Sequence, residues 1–519
     1  MLILLGCGGI RVWIITHSSM IARDGVTYLE LARDFRADPI GVVRTSHYHP
    51  GYPAAVALAY GLLPDAWAAD DRGAWERAGQ IVALVAALVS LAAVAILATM
   101  AFDVRIALVT VLLFGCGAKW TELGANVLSD TLAIAFQLWG VVAALVTLHH
   151  LRAGRRRALA GAAAVGLCAG AGYWVRGEAA LVAPAAAVLW LLYAAGRHVR
   201  WRRAIIASLL TTLMALLCAM PYMIAIGGIT RKHVLGRNVP AIRAATTPAL
   251  PALPTRPDRP PVPLALAGQI SEAAHPVVAT LGALWALAWG LDKLRRRAPA
   301  PWIPRPTSRT AIVATIVVAA SMPVLAMHYR NTGILSHRYV MFIAALLAPL
   351  GGAGLMVLAH LLTRAIGPLR RRPWGQAAVT IGLLVGTGAG IAAHAMRPLH
   401  GNSVSHRSAG EFLRRTAGPE AMVVSDSPWV RHYAGPPTRP LPTRRLSEPL
   451  LRQRLSAIAA ASAYLALTDE GRRRDPAIAS LLAGPPFALI KWTDPSGSPD
   501  EALTLYRVDL SALVSPAAE

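Results

Sequence analysis

Arg23-Asp24-Gly25-Val26-Thr27-Tyr28-Leu29-Glu30-Leu31-Ala32 opens the stretch on which the reading of this chain turns. It belongs to the first long polar interruption, Ser18 to Leu63. That interruption continues as an amphipathic run through Phe35 and then as Ser46-His47-Tyr48-His49-Pro50-Gly51-Tyr52-Pro53. Nearly everything else is apolar sequence separated by short basic connectors. The pattern reads as a scaffold that holds one acidic loop at a membrane surface, opposite a few arginines.

Composition supports a membrane scaffold. With 55% apolar and 15% charged residues over 519 positions, and a mean hydropathy of +0.48, the chain is too apolar for a soluble globule. The net charge of +24 would suit nucleic acid, but the arginines recur in clusters between apolar runs and form no continuous stripe. Nucleic acid is therefore not an expected partner. Cys7, Cys116, Cys168 and Cys218 all lie in apolar segments, so neither a disulfide framework nor a thiolate zinc site is expected. The N-terminal segment lacks the basic leader and cleavage site of a signal peptide. Arg11 within it must snorkel or face protein.

About eleven spans are expected, at 2–18, 78–100, 104–119, 131–149, 158–175, 179–196, 204–228, 273–291, 310–328, 339–362 and 376–395. An odd count puts the two ends on opposite sides. The connectors carrying Arg152/Arg155/Arg156/Arg157, Arg197/Arg200/Arg202/Arg203, Lys293/Arg295/Arg296/Arg297 and Arg364/Arg370/Arg371/Arg372 then share one face, with only Asp103 and Asp292 against them. The positive-inside rule makes that face cytoplasmic. The expectation is a multi-pass protein of the inner membrane, with its N-terminus cytoplasmic and its C-terminal region outside. The first outer loop would span 18–77. A second, at 229–272, contains the proline-rich run Pro251 to Pro263, which regular helix does not accommodate.

From Met396 the pattern changes. Helices are expected at 405–416 and 448–460, and strands at 421–426, 463–468, 487–492 and 503–508. The fold class is thus an α-helical polytopic membrane module, 1–395, followed by a small α/β extracytoplasmic domain, 396–519. That domain has no Gly-rich phosphate loop and no nucleophile elbow, and reads as a recognition or structural cap.

Each polar residue facing outward has a structural reading and a chemical one. Asp24 taken alone suits an N-cap first, with Thr27 and Glu30 at capping-box spacing; a general base at the membrane surface is the chemical reading, and the two roles are compatible. His47 and His49 are two apart, a weak metal pattern; two prolines and a glycine make a rigid turn with His49 as a donor the simpler reading. Glu122 and Asp130 occupy a short outer loop, where polar residues that simply flank a span are the plain reading. Arg176 and Glu178 form either a local ion pair or a hold on a lipid phosphate. His328-Tyr329-Arg330 and His337-Arg338-Tyr339 bracket a brief outer break. Interfacial anchoring explains the tyrosines, while outer-face arginines suit a phosphate leaving group, because guanidinium stays charged and binds phosphate by a planar fork.

Taken in order, these motifs resemble the GT-C membrane glycosyltransferases. Asp24-Gly25-Val26-Thr27-Tyr28-Leu29-Glu30-Leu31-Ala32 is similar to that superfamily's first-loop acid. His49-Pro50-Gly51-Tyr52-Pro53 is similar to its His-Pro-Pro-x-Tyr-Pro turn. Leu128-Ser129-Asp130, Arg176-Gly177-Glu178 and His337-Arg338-Tyr339 follow in the expected order. The resemblance covers residues 1–395 and the general layout of the C-terminal domain, and is nearest to the protein O-mannosyltransferases and aminoarabinose lipid A transferases of family 39. It implies inverting transfer of a sugar from a polyprenyl-phosphate donor to an acceptor hydroxyl on a lipid, protein or glycan. Asp24 would be the base. Arg176, Arg330 and Arg338 would face the departing phosphate, with His49, Tyr52, Asp130, Glu178, His337 and Tyr339 lining the substrate. No cofactor is implied, and no metal ligands are assigned. Gly25 stands where many relatives carry a second acid and no Asp-x-Asp occurs, which leaves metal dependence open. The alternative from another class is a transporter or flippase of lipid-linked saccharides. It fits less well, because ionisable residues gather at one face and no internal repeat is evident.

Overall fold

The computed structural model describes the whole chain except residues 69–70, 231–259, 295–299, 301, 419, 436, 442–446, 459–461, 474–475, 486, 491, 493–502 and 511–519. Two compact units emerge. One comprises Met1–Ile15 and Tyr28–Arg397, the other Thr16–Thr27 and Pro398–Glu519.

The first unit is a helical membrane protein. Among the described residues, eight helices are long and apolar enough to cross a bilayer, or nine if one bent pair counts as a span. This falls short of the eleven expected, for reasons visible in particular helices. Leu2–His17 has 16 residues, fewer than the ~20 that a span needs. The expected span 104–119 is broken into Val104–Gly115 and Ala118–Ala125, bent by 68° at Cys116-Gly117. Ser308–Thr332, a 25-residue helix at one of the expected spans, is not among the eight. Arg11 faces protein: it is fully buried, and its guanidinium donates to the carbonyls of Cys7 (2.7 Å) and Gly115 (3.1 Å).

Small residues bring the spans together. Gly170, on the helix Arg157–Val175, lies where a Cβ would sit 2.5 Å from Cβ of Cys218 on Trp201–Ile226, and Gly166 meets the Thr211 carbonyl of that helix one turn away. This small-xxx-small spacing lets backbones approach without a water-driven force between helices. The 229–272 loop needs correction. Residues 262–274 form a helix, Val262–Ala274, with proline confined to its first turn where no N–H is missed. Most of the proline-rich run lies outside the described residues, as do Arg295, Arg296 and Arg297.

The second unit contains a five-stranded sheet: β1 (Met422–Ser425), β2 (Thr438–Pro440), β3 (Ala463–Thr468), β4 (Phe487–Leu489) and β5 (Leu503–Val508), in spatial order β2-β1-β3-β5-β4. β2, β1 and β3 run parallel, whereas β5 is antiparallel to β3 and to β4. Val423 and Val424 on β1 point to opposite faces and join different cores, one with Leu413 and Val430, the other with Leu451, Leu465 and Ile478. A strand buried on both faces reads as a continuous apolar run, which is why it was visible in the sequence. Pro440 ends the edge strand, where a missing ladder donor costs little.

Candidate active site

Three chain breaks in the membrane unit converge on Asp130. The first is the start of the helix Asp130–Arg152 itself. The second is Arg176, whose extended backbone (φ −156°, ψ 133°) stops the helix Arg157–Val175 before a short 3-10 turn, Gly177–Leu181. The third is the start of His337–Ala365, where the Ser336 hydroxyl accepts from the Arg338 N–H at 3.4 Å. Residues at helix ends project their side chains past the last turn, so groups 208 positions apart can meet.

They meet as ion pairs. Arg176 Nη1 donates to Asp130 Oδ1 at 2.5 Å, and Arg338 donates to Oδ2 from Nη2 at 2.8 Å and from Nε at 3.1 Å. Arg176 Nε also donates to Glu178 Oε1 at 2.5 Å, and its guanidinium lies 5.5 Å from the centre of the Tyr339 ring. Asp130 is 2% exposed, and the side chains of Arg176 and Arg338 are 11% and 24% exposed. Burial pushes the Arg176 pKa down, but the Asp130 and Glu178 carboxylates more than offset this and hold it above the ordinary value. Both Asp130 oxygens are engaged, and among the described residues no group of three or more His, Cys, Asp or Glu side chains is arranged to hold a metal ion.

An aromatic wall adjoins this cluster. Tyr28 OH is 2.8 Å from the Ser129 hydroxyl, next to Asp130, and its ring meets Tyr48 and Tyr52 edge-on at 5.4 and 5.1 Å. Tyr52 is fully buried and donates to the Gly79 carbonyl at 3.0 Å. Burial pushes the phenols of Tyr28 and Tyr52 up, so both stay protonated donors. The turn before Tyr52 docks on the end of Arg157–Val175: a Cβ on Gly51 would lie 2.7 Å from the Trp174 carbonyl oxygen. His49 is buried between Tyr173 (5.4 Å) and Tyr222 (5.3 Å), whereas His47 is exposed, so the two histidines make no metal pair.

The remaining predicted residues fall nearby or apart. His337 Nδ1 is 3.7 Å from Glu272, which also lies 3.5 Å from Lys119; Lys119 in turn pairs with Glu122 at 3.5 Å. His328 and Tyr339 rings pack at 4.6 Å. Arg330 is exposed, and no ion pair links it to Asp130 among the described residues. Asp24 sits inside the first turn of Arg23–Ala37, where a carboxylate complements the helix dipole. It is not the cap of a helix starting later, and Thr27 and Glu30 lie in the helix interior, where a capping box has no role. Sequence reasoning did not single out Ser129, Lys119 or Glu272. Tyr28, four residues after Asp24, carried a usable signal in that spacing.

Solved structures decide the fold. ArnT from Cupriavidus metallidurans bound to undecaprenyl phosphate matches with a TM-score of 0.57 at 13% identity, covering 99% of each chain. The chain has the GT-C fold. This GT-C chain also matches the apo oligosaccharyltransferase of Archaeoglobus fulgidus (TM-score 0.55, 14% identity, 83% of this chain) and the mycobacterial arabinofuranosyltransferase AftD (0.51, 14%, 97%). It spans 63% of the oligosaccharyltransferase and 40% of AftD. The family model described as dolichyl-phosphate-mannose-protein mannosyltransferase matches residues 72–224, which include Asp130, Arg176 and Glu178. No curated protein sequence matches significantly. Family model and fold both point to a glycosyltransferase in a multi-pass membrane protein.

Proposed function

We propose that the chain moves a sugar from a polyprenyl-phosphate donor to an acceptor hydroxyl at the extracytoplasmic face of the inner membrane, with inversion. The observation that carries this reading is the convergence of Arg176 and Arg338 on buried Asp130, beside Tyr28. Two guanidiniums held by Asp130, one of them also by Glu178, form preorganised donor forks that need no reorganisation when a phosphate departs. The solved relative ArnT holding undecaprenyl phosphate supports a lipid phosphate as the leaving group.

The reaction needs an acceptor oxygen to attack the anomeric carbon as the bond from that carbon to the phosphate oxygen breaks. Asp24 takes the acceptor proton as general base. Arg176 and Arg338 neutralise the charge that grows on the departing polyprenyl phosphate. Tyr339 gives the sugar an aromatic face, while Tyr52, fully buried and bonded to the Gly79 carbonyl, supports Tyr28 from behind and does not itself line the substrate. Lipid, protein and glycan hydroxyls all satisfy this chemistry as acceptors. Orientation rests on the basic connectors, which put the loop carrying Asp24 outside.

The test is a transfer assay with radiolabelled undecaprenyl-phosphate sugars across acceptor types. Asp24→Asn should lower kcat by roughly 10³-fold without altering expression, within the range for loss of a general base. Turnover retained in that variant rejects the base assignment.

A further inference from the structure

The segment 16–27 leads directly into Asp24, yet it packs with residues 398–519 as one compact unit. Its backbone between Ser18 and Ala22 belongs to no helix or strand, so its polar groups need partners from elsewhere. The C-terminal region supplies two such partners and a third bond to a side chain of the strap. The Leu399 N–H donates to the Ser18 hydroxyl at 2.9 Å, the Arg407 guanidinium donates to the Ser19 carbonyl, and the Trp429 indole N–H donates to the Ile21 carbonyl at 2.9 Å. Met20, Ile21 and Ala22 are buried. The helix starts at Arg23 immediately after, and Gly25 N–H closes back on the Ala22 carbonyl at 2.9 Å.

The two side-chain anchors are themselves held in place. Ser427 caps the helix Pro428–Ala434 that carries Trp429, its hydroxyl accepting from Val430 N–H at 3.3 Å. The same hydroxyl lies 2.7 Å from Nδ1 of buried His406, whose ring packs edge-on to Trp429 at 5.3 Å. Arg407, the next residue on Val404–Thr416, is clamped by Glu411 at 2.7 Å and lies 5.1 Å from the Tyr433 ring centre. Each anchor therefore meets the strap from a fixed direction.

We infer that Trp429 and Arg407 are positioning residues for Asp24, making the C-terminal α/β region part of the machinery that sets the base in place. This rests on the proposed role of Asp24. Their hydrogen bonds fix the strap carbonyls at Ile21 and Ser19, and the strap fixes the first turn of the helix on which Asp24 stands. A displacement of a reacting group by about 1 Å costs about 10²-fold in rate, so loss of one anchor is felt in turnover before binding.

The test uses the full-length protein with radiolabelled undecaprenyl-phosphate sugars, together with hydrogen–deuterium exchange. Trp429→Phe keeps the ring and removes the N–H. It should speed exchange of amides in 18–25, leave 404–416 unchanged, and lower kcat about tenfold with donor KM nearly constant. Arg407→Ala should act in the same way and Arg407→Lys should restore most of the loss, which a purely structural role would not predict. Unchanged exchange in the strap overturns the inference, as does faster exchange with wild-type kcat. If the wild type transfers no sugar from any donor, the sugar-transfer reading fails, and the positioning role with it. A shift in the variants against an active wild type concerns positioning alone.

Discussion

Asp130 and Asp426 are both buried aspartates, one in each unit, and their surroundings differ in kind. Asp130 meets two guanidiniums and so stands within a cluster of charges. Asp426, just after β1, accepts from the N–H of Thr468 at 3.0 Å and from its hydroxyl at 2.6 Å, at the end of β3, with His406 near enough to act on its charge. Burial pushes the Asp426 carboxyl up, with the Thr468 bonds opposing. Such a cradle tying two strand ends together is sufficient for architecture. Concentrating charge where charge is costly to bury marks a candidate site for meeting an anion. The contrast sets a charged cluster in the first unit against a Thr468-lined cradle in the second, the unit that also holds the segment bearing Asp24.

Substitutions that break this contrast should differ in size. Asp130→Asn leaves Arg338 without its carboxylate and Arg176 with Glu178 alone, both guanidiniums part-buried, and should cost about 3 kcal/mol, read as a lowered Tm in detergent, together with loss of transfer. Gly51→Ala drives a methyl into the Trp174 carbonyl and should cost about 1–3 kcal/mol while disturbing the turn that carries His49 and Tyr52. Asp426→Asn trades one acceptor for a donor beside Thr468 and should cost only about 1 kcal/mol. A cost at Asp426 equal to that at Asp130 would erase the distinction.

The smallest effect is a pH slope. Because the folded pKa of Asp426 is raised above 3.8, the folded state holds that proton more tightly than the unfolded chain. Its contribution is fully present below 3.8 and is lost as the pH rises through the folded value. The melting transition of the C-terminal unit should therefore shift down slightly over that window, and the shift should vanish in Asp426→Asn.

Apolar periodicity made the long helices legible: Arg157–Val175 and Gly375–Ala395 begin and end within a residue of expectation. The same holds for β3 and β5, short mostly apolar runs that stop just before Asp469 and Asp509. Hydropathy is blind to a bend, so the break at Cys116-Gly117 was read as one span. Val262–Ala274 was masked by the prolines preceding it. Pro428–Ala434 is only seven residues long, although Ser427-Pro428 is a readable cap and first-turn signal. At the site, motif order brought Asp130, Arg176 and Arg338 onto one list. Their pairing had no local signature, because helix ends far apart in sequence meet only through tertiary packing.

The central claim is that Arg176 and Arg338 receive a polyprenyl phosphate. Undecaprenyl phosphate titrated against the detergent-solubilised wild type and the Arg176→Gln/Arg338→Gln double variant tests it most directly, with native mass spectrometry reporting the bound fraction. The account predicts at least about tenfold weaker binding in a folded double variant, as expected for loss of charge-assisted bidentate donors. Equal affinity in the two proteins would contradict it.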